Sequence, residues 1–464
     1  MSALPIAPDA SPTLTPAASV DSEADARLIR LVYAYVACAT IWLVCGTAVG
    51  EYIALKFVWP DIAIEPWLSV GRLRPVHTNM VLWGWSSLAG IALALLVVPR
   101  TSRTELRHSK LAWTALALLN GSVLIGSICL IAGVNNGAQE YREYLWPVMA
   151  MFVAGLVLLL VALYRTIAVR GTEAIYISNW YILAAFIWMS TLVTIGYIPW
   201  YQHGLSEIVI QGYYMHQGVG MWFTPLVLGM TYYALPKLLN KPIYSYALGV
   251  LAFWTQLVFY TMIGGHHFVF SPTPWSLQTV AIVFSIGMIV PVVAGTANFL
   301  LTIRGDWGSV RVSYALPFIL TGVVLYFVGS MQGTLEAFRS LNAVWHFTDF
   351  TVGHSHMTMY GFVAFLLWGG IYGLVPPLTG HAPRSSLVGV HFWFALIGVT
   401  IYVVSLMIGG TLRGISWLHG APFIDSVALM TPYWTGRMIG GGLMFLSHLV
   451  FAYNVWRMRP RFAA

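Results

Sequence analysis

Long stretches with almost no charged side chain limit the folds open to this 464-residue chain more than any other feature. Each is about 20 residues or longer, the length at which an apolar helix crosses the hydrocarbon core of a bilayer. Only 8% of the residues are Asp, Glu, Lys or Arg, whereas a soluble domain carries roughly 25%. A soluble fold is therefore excluded. We predict an all-α polytopic membrane protein with twelve transmembrane helices, near residues 28–55, 76–99, 110–134, 145–169, 176–200, 208–235, 243–268, 276–303, 312–338, 350–376, 386–412 and 434–456.

The rest of the chain predicts no second folded domain. Residues 1–25 are rich in Ala, Pro, Ser and Asp and contain no apolar run, which is typical of a disordered tail. They also lack the charged start and apolar centre of a cleaved signal peptide. We therefore expect a cytoplasmic tail over 1–25 and a single twelve-helix membrane domain over 26–464.

The basic residues predict the orientation in the membrane. An even number of helices places both termini on one side, and that side would hold 16 of the 23 Lys and Arg residues. Cytoplasmic loops carry the excess of basic residues in membrane proteins. Both termini are therefore predicted to be cytoplasmic, and the net charge of +7 reflects this bias and does not indicate nucleic-acid binding.

Histidine departs from the general scarcity of polar residues, with 13 histidines against 16 acidic residues. An ionisable side chain inside a membrane is costly unless it has a partner. With the predicted topology, six histidines from four helices fall at one depth in the outer half of the membrane. This co-location favours a site with several metals. The six are His77, His216, His266, His267, His354 and His356.

Helical spacing adds geometry to these histidines. A helix turns about 100° per residue, so His354 and His356 point to opposite faces of one helix, which would separate two metal centres. His266 and His267 could hold one ion together with His216, and three neutral imidazoles suit copper or zinc. Tyr260 precedes His267 by two helical turns and would lie on its face.

The other seven histidines are not assigned as metal ligands, and all of them except His346 are given structural or interfacial roles. Two of them lie in inner halves of helices, and the rest lie in or near loops. They are His391 and His448, and His108, His203, His346, His381 and His419.

The chain resembles the haem-copper oxidase superfamily, catalytic subunit I, most closely the cbb-type (C-family) cytochrome c oxidase. The resemblance covers nearly the whole chain. It is carried by GRLRPVHTN around His77, MHQGVG at His216, YTMIGGHH at 260–267, HFTDFTVGHSH at 346–356, EYREYLWP at 140–147, YISNW at 176–180 and YYALPK at 232–237.

The resemblance implies a terminal oxidase of the bacterial cytoplasmic membrane that reduces dioxygen to water, with proton pumping left open. It implies two b-type haems and a copper ion, CuB. By this resemblance, His77 and His356 are the axial ligands of a low-spin haem b, His354 is the proximal ligand of a high-spin haem b, His216, His266 and His267 bind CuB, and Tyr260 is the tyrosine cross-linked to His216.

Further residues are expected around these centres. Buried haem propionates need polar partners, and the outer-side candidates are Arg72, Arg74, His346, Asp349 and Arg437. Glu140 and Glu143 match an acidic segment of the family and are candidates for a calcium site. Tyr326 and Thr279 match proton-path positions.

The electrons must come from another protein. The chain has no CxxCH motif for a c-type haem. Cys38, Cys45 and Cys129 are too scattered to form a dicopper site. We expect a membrane-anchored donor subunit on the outer side, either a c-type cytochrome or a dicopper protein.

Nitric oxide reductase is the alternative within the superfamily. Its usual form binds non-haem iron through an added carboxylate and lacks the tyrosine, whereas Gln217 to Gly220 after His216 contain no carboxylate and Tyr260 is present. Against this, Gln332 stands where the cbb-type pattern has Glu, and Gly249 stands where it has Ser. These departures affect positions of the proton path, and nitric oxide reductase therefore remains an alternative function. A transporter is a third class, disfavoured because charges near the membrane midplane are scarce.

Overall fold

The computed structural model describes residues 23–137 and 139–460, and these residues form helices and loops without a β-strand. Residues 1–22, most of the predicted tail, lie outside the described part, and the first helix already begins at Glu23. The long helices are α1 (Glu23–Val58), α2 (Val70–Ser102), α3 (Ser109–Ala132), α4 (Trp146–Ala168), α5 (Ile177–Gly196), α6 (204–239), α7 (Tyr246–Tyr260), α8 (Trp275–Ile303), α9 (Leu316–Glu336), α10 (Asp349–Thr379), α11 (Ser385–Leu418) and α12 (Phe423–Arg457).

Within the described residues, ten of these helices are long and apolar enough to cross a membrane by length and composition. The other two are α6 and α7, which lie where the sequence predicted the sixth and seventh spans. Helix α7 is shorter than the predicted 243–268 segment because it stops at Tyr260 and gives way to a 3₁₀ turn, Ile263–Phe268. At this turn Gly264 meets the backbone of Gly212 on α6, so closely that a Cβ on Gly264 would lie 2.5 Å from the Gly212 carbonyl oxygen.

Helices α2, α6 and α10 form the centre of the molecule. In the apolar windows of α2 and α10, 94% and 83% of the residues are buried, against 39–56% in the other eight spans. In α6, all residues from Thr224 to Pro236 are buried. The other helices pack around these three, and about half of the residues in each of the eight outer spans lie on the outside of the bundle. In each of these three helices the fully buried stretch follows the predicted ligand along the chain, and the ligands themselves are partly exposed toward a cavity or a neighbouring ring.

Each central helix contains a π-helical segment that begins one to three residues after a predicted ligand. The segments are Met80–Ser86 after His77, Gly218–Phe223 after His216, and Met357–Ala364 after His356. Widened turns of this kind are rare and are found frequently at functional sites. Nearby hydroxyls satisfy the carbonyls of these turns, because Ser87 donates to the Leu82 oxygen at 2.9 Å and Thr224 donates to the Val219 oxygen at 3.2 Å.

Candidate metal and haem centres

Three histidines predicted to bind copper come together between α6 and the 3₁₀ turn. Each of His216, His266 and His267 offers a ring nitrogen, and these nitrogens lie within 4.8 Å of one another. The centroids of their rings are 4.6–5.0 Å apart. Among the described residues this is the one such group of three or more His, Cys, Asp or Glu side chains, and it contains no carboxylate.

Hydrogen bonds leave the ring nitrogens of this cluster free for a metal. The Ser285 hydroxyl donates to the Ala281 carbonyl at 2.7 Å, so it accepts from Nδ1 of His266, also at 2.7 Å, and Nε2 of His266 stays free. Nδ1 of His216 is buried without any hydrogen-bond partner. A buried nitrogen in this state is costly unless something binds it. The cluster thus fits a copper ion, which imidazole ligands suit.

Tyr260 lies against the same cluster. Its ring centroid is 5.1 Å from that of His216. It occupies space that only glycine leaves open on α6, because a Cβ on Gly220 would stand 1.6 Å from the tyrosine ring. The side-chain amide of Gln217 also donates to the Tyr260 carbonyl. The contact between the phenol and His216 therefore depends on glycine at position 220 and on the hydrogen bond from Gln217 to the Tyr260 backbone.

The two predicted axial ligands, His77 on α2 and His356 on α10, face each other. Their ring centroids are 6.3 Å apart and the ring planes differ by 10°. Nδ1 of His77 donates to the Gly46 carbonyl at 2.8 Å, and Nδ1 of His356 donates to the Val352 carbonyl at 2.9 Å. Two metal–imidazole bonds of about 2 Å each, together with the distance from each ring centroid to its Nε2 atom, add up to about this separation. The pair fits a haem iron bound through both Nε2 atoms.

His354 points to the other side of α10, as its two-residue offset from His356 predicted. The side-chain oxygen of Gln332 accepts from Nδ1 of His354 at 2.9 Å, and the amide nitrogen of Gln332 contacts the Met407 sulfur at 3.1 Å. A carboxylate oxygen of Glu336 lies 3.4 Å from the same Nδ1. A ligating histidine usually donates its other ring N–H in this way, so Nε2 of His354 is free for a haem iron.

A cavity of about 710 Å³ joins His354 to the three-histidine cluster. Tyr260 and Glu336 line it, and so do Arg74, Glu140 and His346. Small-molecule and cofactor sites commonly occupy 300–1,000 Å³. The cavity fits a high-spin haem whose open face meets the copper cluster.

The structure places the predicted propionate partners differently from one another. Arg74 is paired with Glu140 at 2.7 Å, and Arg72 donates to the Ile131 carbonyl at 3.2 Å. The guanidinium of Arg437 lies over the Phe57 ring at 4.5 Å, and its Nε is buried without a partner.

Asp349 is already neutralised by a residue that the sequence analysis missed. Arg413 on α11 pairs with its carboxylate at 2.9 Å, and the Trp434 indole donates to it at 3.2 Å. Arg413 keeps a buried Nε without a partner. Arg413 is thus a better candidate than Asp349 for the partner of a haem propionate. No local sequence pattern distinguishes Arg413 from the other arginines.

Of the two predicted calcium ligands, Glu140 is held by Arg74 and Glu143 is buried. The side chain of Asn79 donates to Glu143 at 3.0 Å. Burial raises the pKa of Glu143 to about 7, and the Asn79 hydrogen bond opposes this shift. The two carboxylates therefore have separate partners in this structure.

The raised pKa of Glu143 predicts a pH-dependent stability. The folded pKa, about 7, exceeds the ordinary value of 4.5, so the group stabilises the fold fully below pH 4.5 and loses this contribution as the pH rises to 7. The change corresponds to about 3 kcal/mol at most. Glu143→Gln should therefore raise the melting temperature in detergent at pH 8 but not at pH 4.5. The exposed Glu105→Gln variant is the control, and equal melting curves for Glu143→Gln and wild type at pH 8 would contradict the prediction.

The two predicted proton-path residues do not come together. Tyr326 on α9 is buried and packs on Phe362 of α10, which lines the cavity, at 4.8 Å between ring centroids. Thr279 is exposed near the start of α8, where its hydroxyl donates to the Trp275 carbonyl and accepts from Arg339. It is not among the residues that line the cavity.

Facing histidines, a carboxylate-free histidine cluster and a helical membrane fold define a class, the membrane-bound respiratory metalloenzymes. The model of the family "Cytochrome C and Quinol oxidase polypeptide I" matches residues 30–443. The chain belongs to this family.

Curated relatives and a solved structure agree with this assignment. The chain is 31% identical over 447 residues to the cbb3-type cytochrome c oxidase subunit CcoN1 of Stutzerimonas stutzeri, covering 92% of this chain and 94% of that protein. It is 32% identical to a cytochrome c oxidase subunit 1 homolog of Agrobacterium tumefaciens, covering 91% and 82%. A haem-copper terminal oxidase solved by cryo-electron microscopy has the same fold, with a TM-score of 0.74 at 16% identity, covering 94% and 85% of the two chains. The predicted class, the catalytic subunit of a terminal oxidase, is confirmed.

Proposed function

We propose that the chain reduces dioxygen to water, as the catalytic subunit of a cytochrome c oxidase. It would do so at a high-spin haem b held by His354 and a copper ion held by His216, His266 and His267. A low-spin haem b between His77 and His356 would supply the electrons. Calcium at Glu140 and Glu143 stays a prediction, and a calcium-dependent rise in melting temperature that Glu143→Gln abolishes would support it.

The observation that carries this proposal is the composition of the three-histidine cluster. It consists of imidazoles without a carboxylate, and a phenol stands against one of them. Non-haem iron favours a carboxylate in its ligand set, whereas copper is satisfied by imidazoles. The cluster therefore favours copper and dioxygen over iron and nitric oxide.

The side chains of this site have distinct roles. When bound, the haem iron and the copper supply most of the electrons that dioxygen requires. Tyr260 supplies a proton and a further electron from its phenol. Ser285 and Gln332 orient His266 and His354 by accepting their Nδ1 protons. Apolar side chains such as Met288, Val352 and Phe362 line part of the cavity and limit the access of bulk water to the reacting groups.

Electrons would cross α10 from one face to the other. His356 and His354 are two residues apart and lie on opposite faces of this helix. The electron donor, a membrane-anchored c-type cytochrome or dicopper subunit, would dock on the outer side. Arg72, Arg74, His346, Arg413 and Arg437 would bind the haem propionates, with Asp349 holding Arg413 in place.

All twelve long helices would cross the bacterial cytoplasmic membrane, with both termini in the cytoplasm. Tyr326 would carry protons toward the cavity from the inner side. Gly249 packs against Tyr232, because a Cβ on this glycine would lie 3.3 Å from the tyrosine ring. Because residue 249 is glycine, this position offers no hydroxyl to a proton path. The number of protons pumped per dioxygen is the measurement that tests this path.

Nitric oxide reduction is the second candidate, and one observation favours it. Glu336 lines the cavity beside His354, so a carboxylate lies near the reacting space. The deciding experiment measures turnover of the purified complex on dioxygen and on nitric oxide, with copper and iron quantified. We expect one copper per chain and faster turnover on dioxygen. Non-haem iron in place of copper, or turnover on nitric oxide alone, would overturn the oxidase proposal.

A further inference from the structure

His448 on α12 is a fully buried histidine outside the proposed ligand set. It is 0% exposed and contacts two other helices through both ring nitrogens. Nδ1 lies 3.0 Å from the Thr47 hydroxyl of α1, and Nε2 lies 3.1 Å from the Tyr360 hydroxyl of α10. One imidazole thus joins three helices by two hydrogen bonds.

The donors and acceptors around His448 select a single neutral tautomer. The Thr47 hydroxyl donates to the Leu43 carbonyl at 2.6 Å, so it can only accept from Nδ1–H of His448. Nε2 then carries no proton and accepts from the Tyr360 hydroxyl. The Tyr360 hydroxyl also lies 3.4 Å from the Ser447 hydroxyl, but Nε2 of His448 is nearer at 3.1 Å, and Ser447 itself donates to the Met444 carbonyl at 2.6 Å. His448 thus links α12 to both α1 and α10.

Both contacts of His448 lie close to the facing pair of histidines. Thr47 directly follows Gly46, whose carbonyl accepts from Nδ1 of His77 at 2.8 Å. Tyr360 lies four residues after His356, about one turn along α10 and inside its π-helical segment. His448 therefore connects the backbone that orients one axial ligand to the helix that carries the other.

We propose that His448 is a positioning residue that sets the distance and relative orientation of His77 and His356. The inference rests on the proposed low-spin haem. Metal–ligand bonds tolerate deviations of only about 0.2 Å. A spacer between α1 and α10 one turn inward of the ligands therefore controls whether both imidazoles reach the iron at once. The other buried inner-half histidine, His391, bonds to Tyr372 of α10 at 3.0 Å, sixteen residues beyond His356. Its Nε2 has no hydrogen-bond partner, so it does not link α1 to the turn that follows His356.

The test replaces His448 by leucine in the complete complex, with His391→Leu as the matched control. In the reduced wild type only the high-spin haem should bind carbon monoxide. In His448→Leu we expect carbon monoxide to bind the second haem as well, together with altered low-spin signals in the electron paramagnetic resonance spectrum. The reduction equilibrium of the low-spin haem should change at least tenfold, which is 59 mV for one electron. His448→Gln, which can bond to both hydroxyls, should restore the wild-type spectrum.

Milder variants keep the test decisive if His448→Leu does not fold. Thr47→Val and Tyr360→Phe each remove one bond with little change in volume, and we expect each to shift the low-spin signals in the same direction. Unchanged low-spin signals in His448→Leu, or in both milder variants, would overturn the proposal, and so would equal changes in His391→Leu. A wild-type protein without a bis-histidine haem would instead refute the proposed function.

Discussion

Replacing Tyr260 by phenylalanine is expected to lower dioxygen turnover by at least about 100-fold, the lower range for losing a positioned proton donor. The phenylalanine ring fills the same space beside Gly220, so α6 and the 3₁₀ turn should keep their packing. Both haem spectra and the copper content should stay at wild-type levels. The expected defect is therefore chemical, because the site keeps its metals and loses one proton and one electron source.

The control for this variant is Tyr35→Phe. Tyr35 is fully buried, and its hydroxyl donates to the Ala112 carbonyl at 2.6 Å, between α1 and α3 and away from the cavity lining. Steady-state oxygen consumption and absorption spectra of both variants distinguish the two roles. Wild-type turnover in Tyr260→Phe would remove the proposed role of the phenol, and loss of copper in that variant would reduce it to a packing role.

The arrangement of the six histidines could be predicted from the sequence because a helix has a fixed rotation per residue and the predicted topology fixes the depth of each residue. The separation of His354 and His356 onto opposite faces follows from about 100° per residue, and the structure shows His354 in the cavity and His356 opposite His77. The resemblance to known oxidases supplied the individual roles. The facing arrangement of His77 and His356 is nevertheless visible in the fold without any bound haem.

What could not be predicted depends on contacts between distant segments. The π-helical segments after His77, His216 and His356 were not predicted either, although the hydroxyls that satisfy two of them lie only five residues along the same helix. Arg413 reaches Asp349 across 64 positions of the chain. From the sequence, His448 is assigned only a structural role, because its two hydrogen-bond partners lie 401 and 88 positions away along the chain. Thr279 matched a motif, but its exposed position near the start of α8 depends on helix rotation that no motif encodes.

Replacing His354 or His356 by leucine should produce complementary losses across a single helix. His356→Leu removes one axial ligand of the proposed low-spin haem, so its bis-histidine spectrum should disappear while carbon monoxide still binds the high-spin haem. His354→Leu should lose the high-spin haem and the carbon monoxide signal while the low-spin spectrum remains. Oxygen turnover should fall below detection in both variants, because one lacks the electron donor and the other lacks the reaction centre.

This pair of variants is its own control, since both substitutions remove an imidazole from the same turn of α10. A general folding defect would abolish both spectra in both variants. Loss of the same haem in both variants would contradict the arrangement in which α10 separates two centres. Difference spectra of the reduced proteins with and without carbon monoxide, together with the haem content per chain, distinguish these results. Complementary losses would show that two residues of one helix serve two haems, which is what electron transfer across α10 requires.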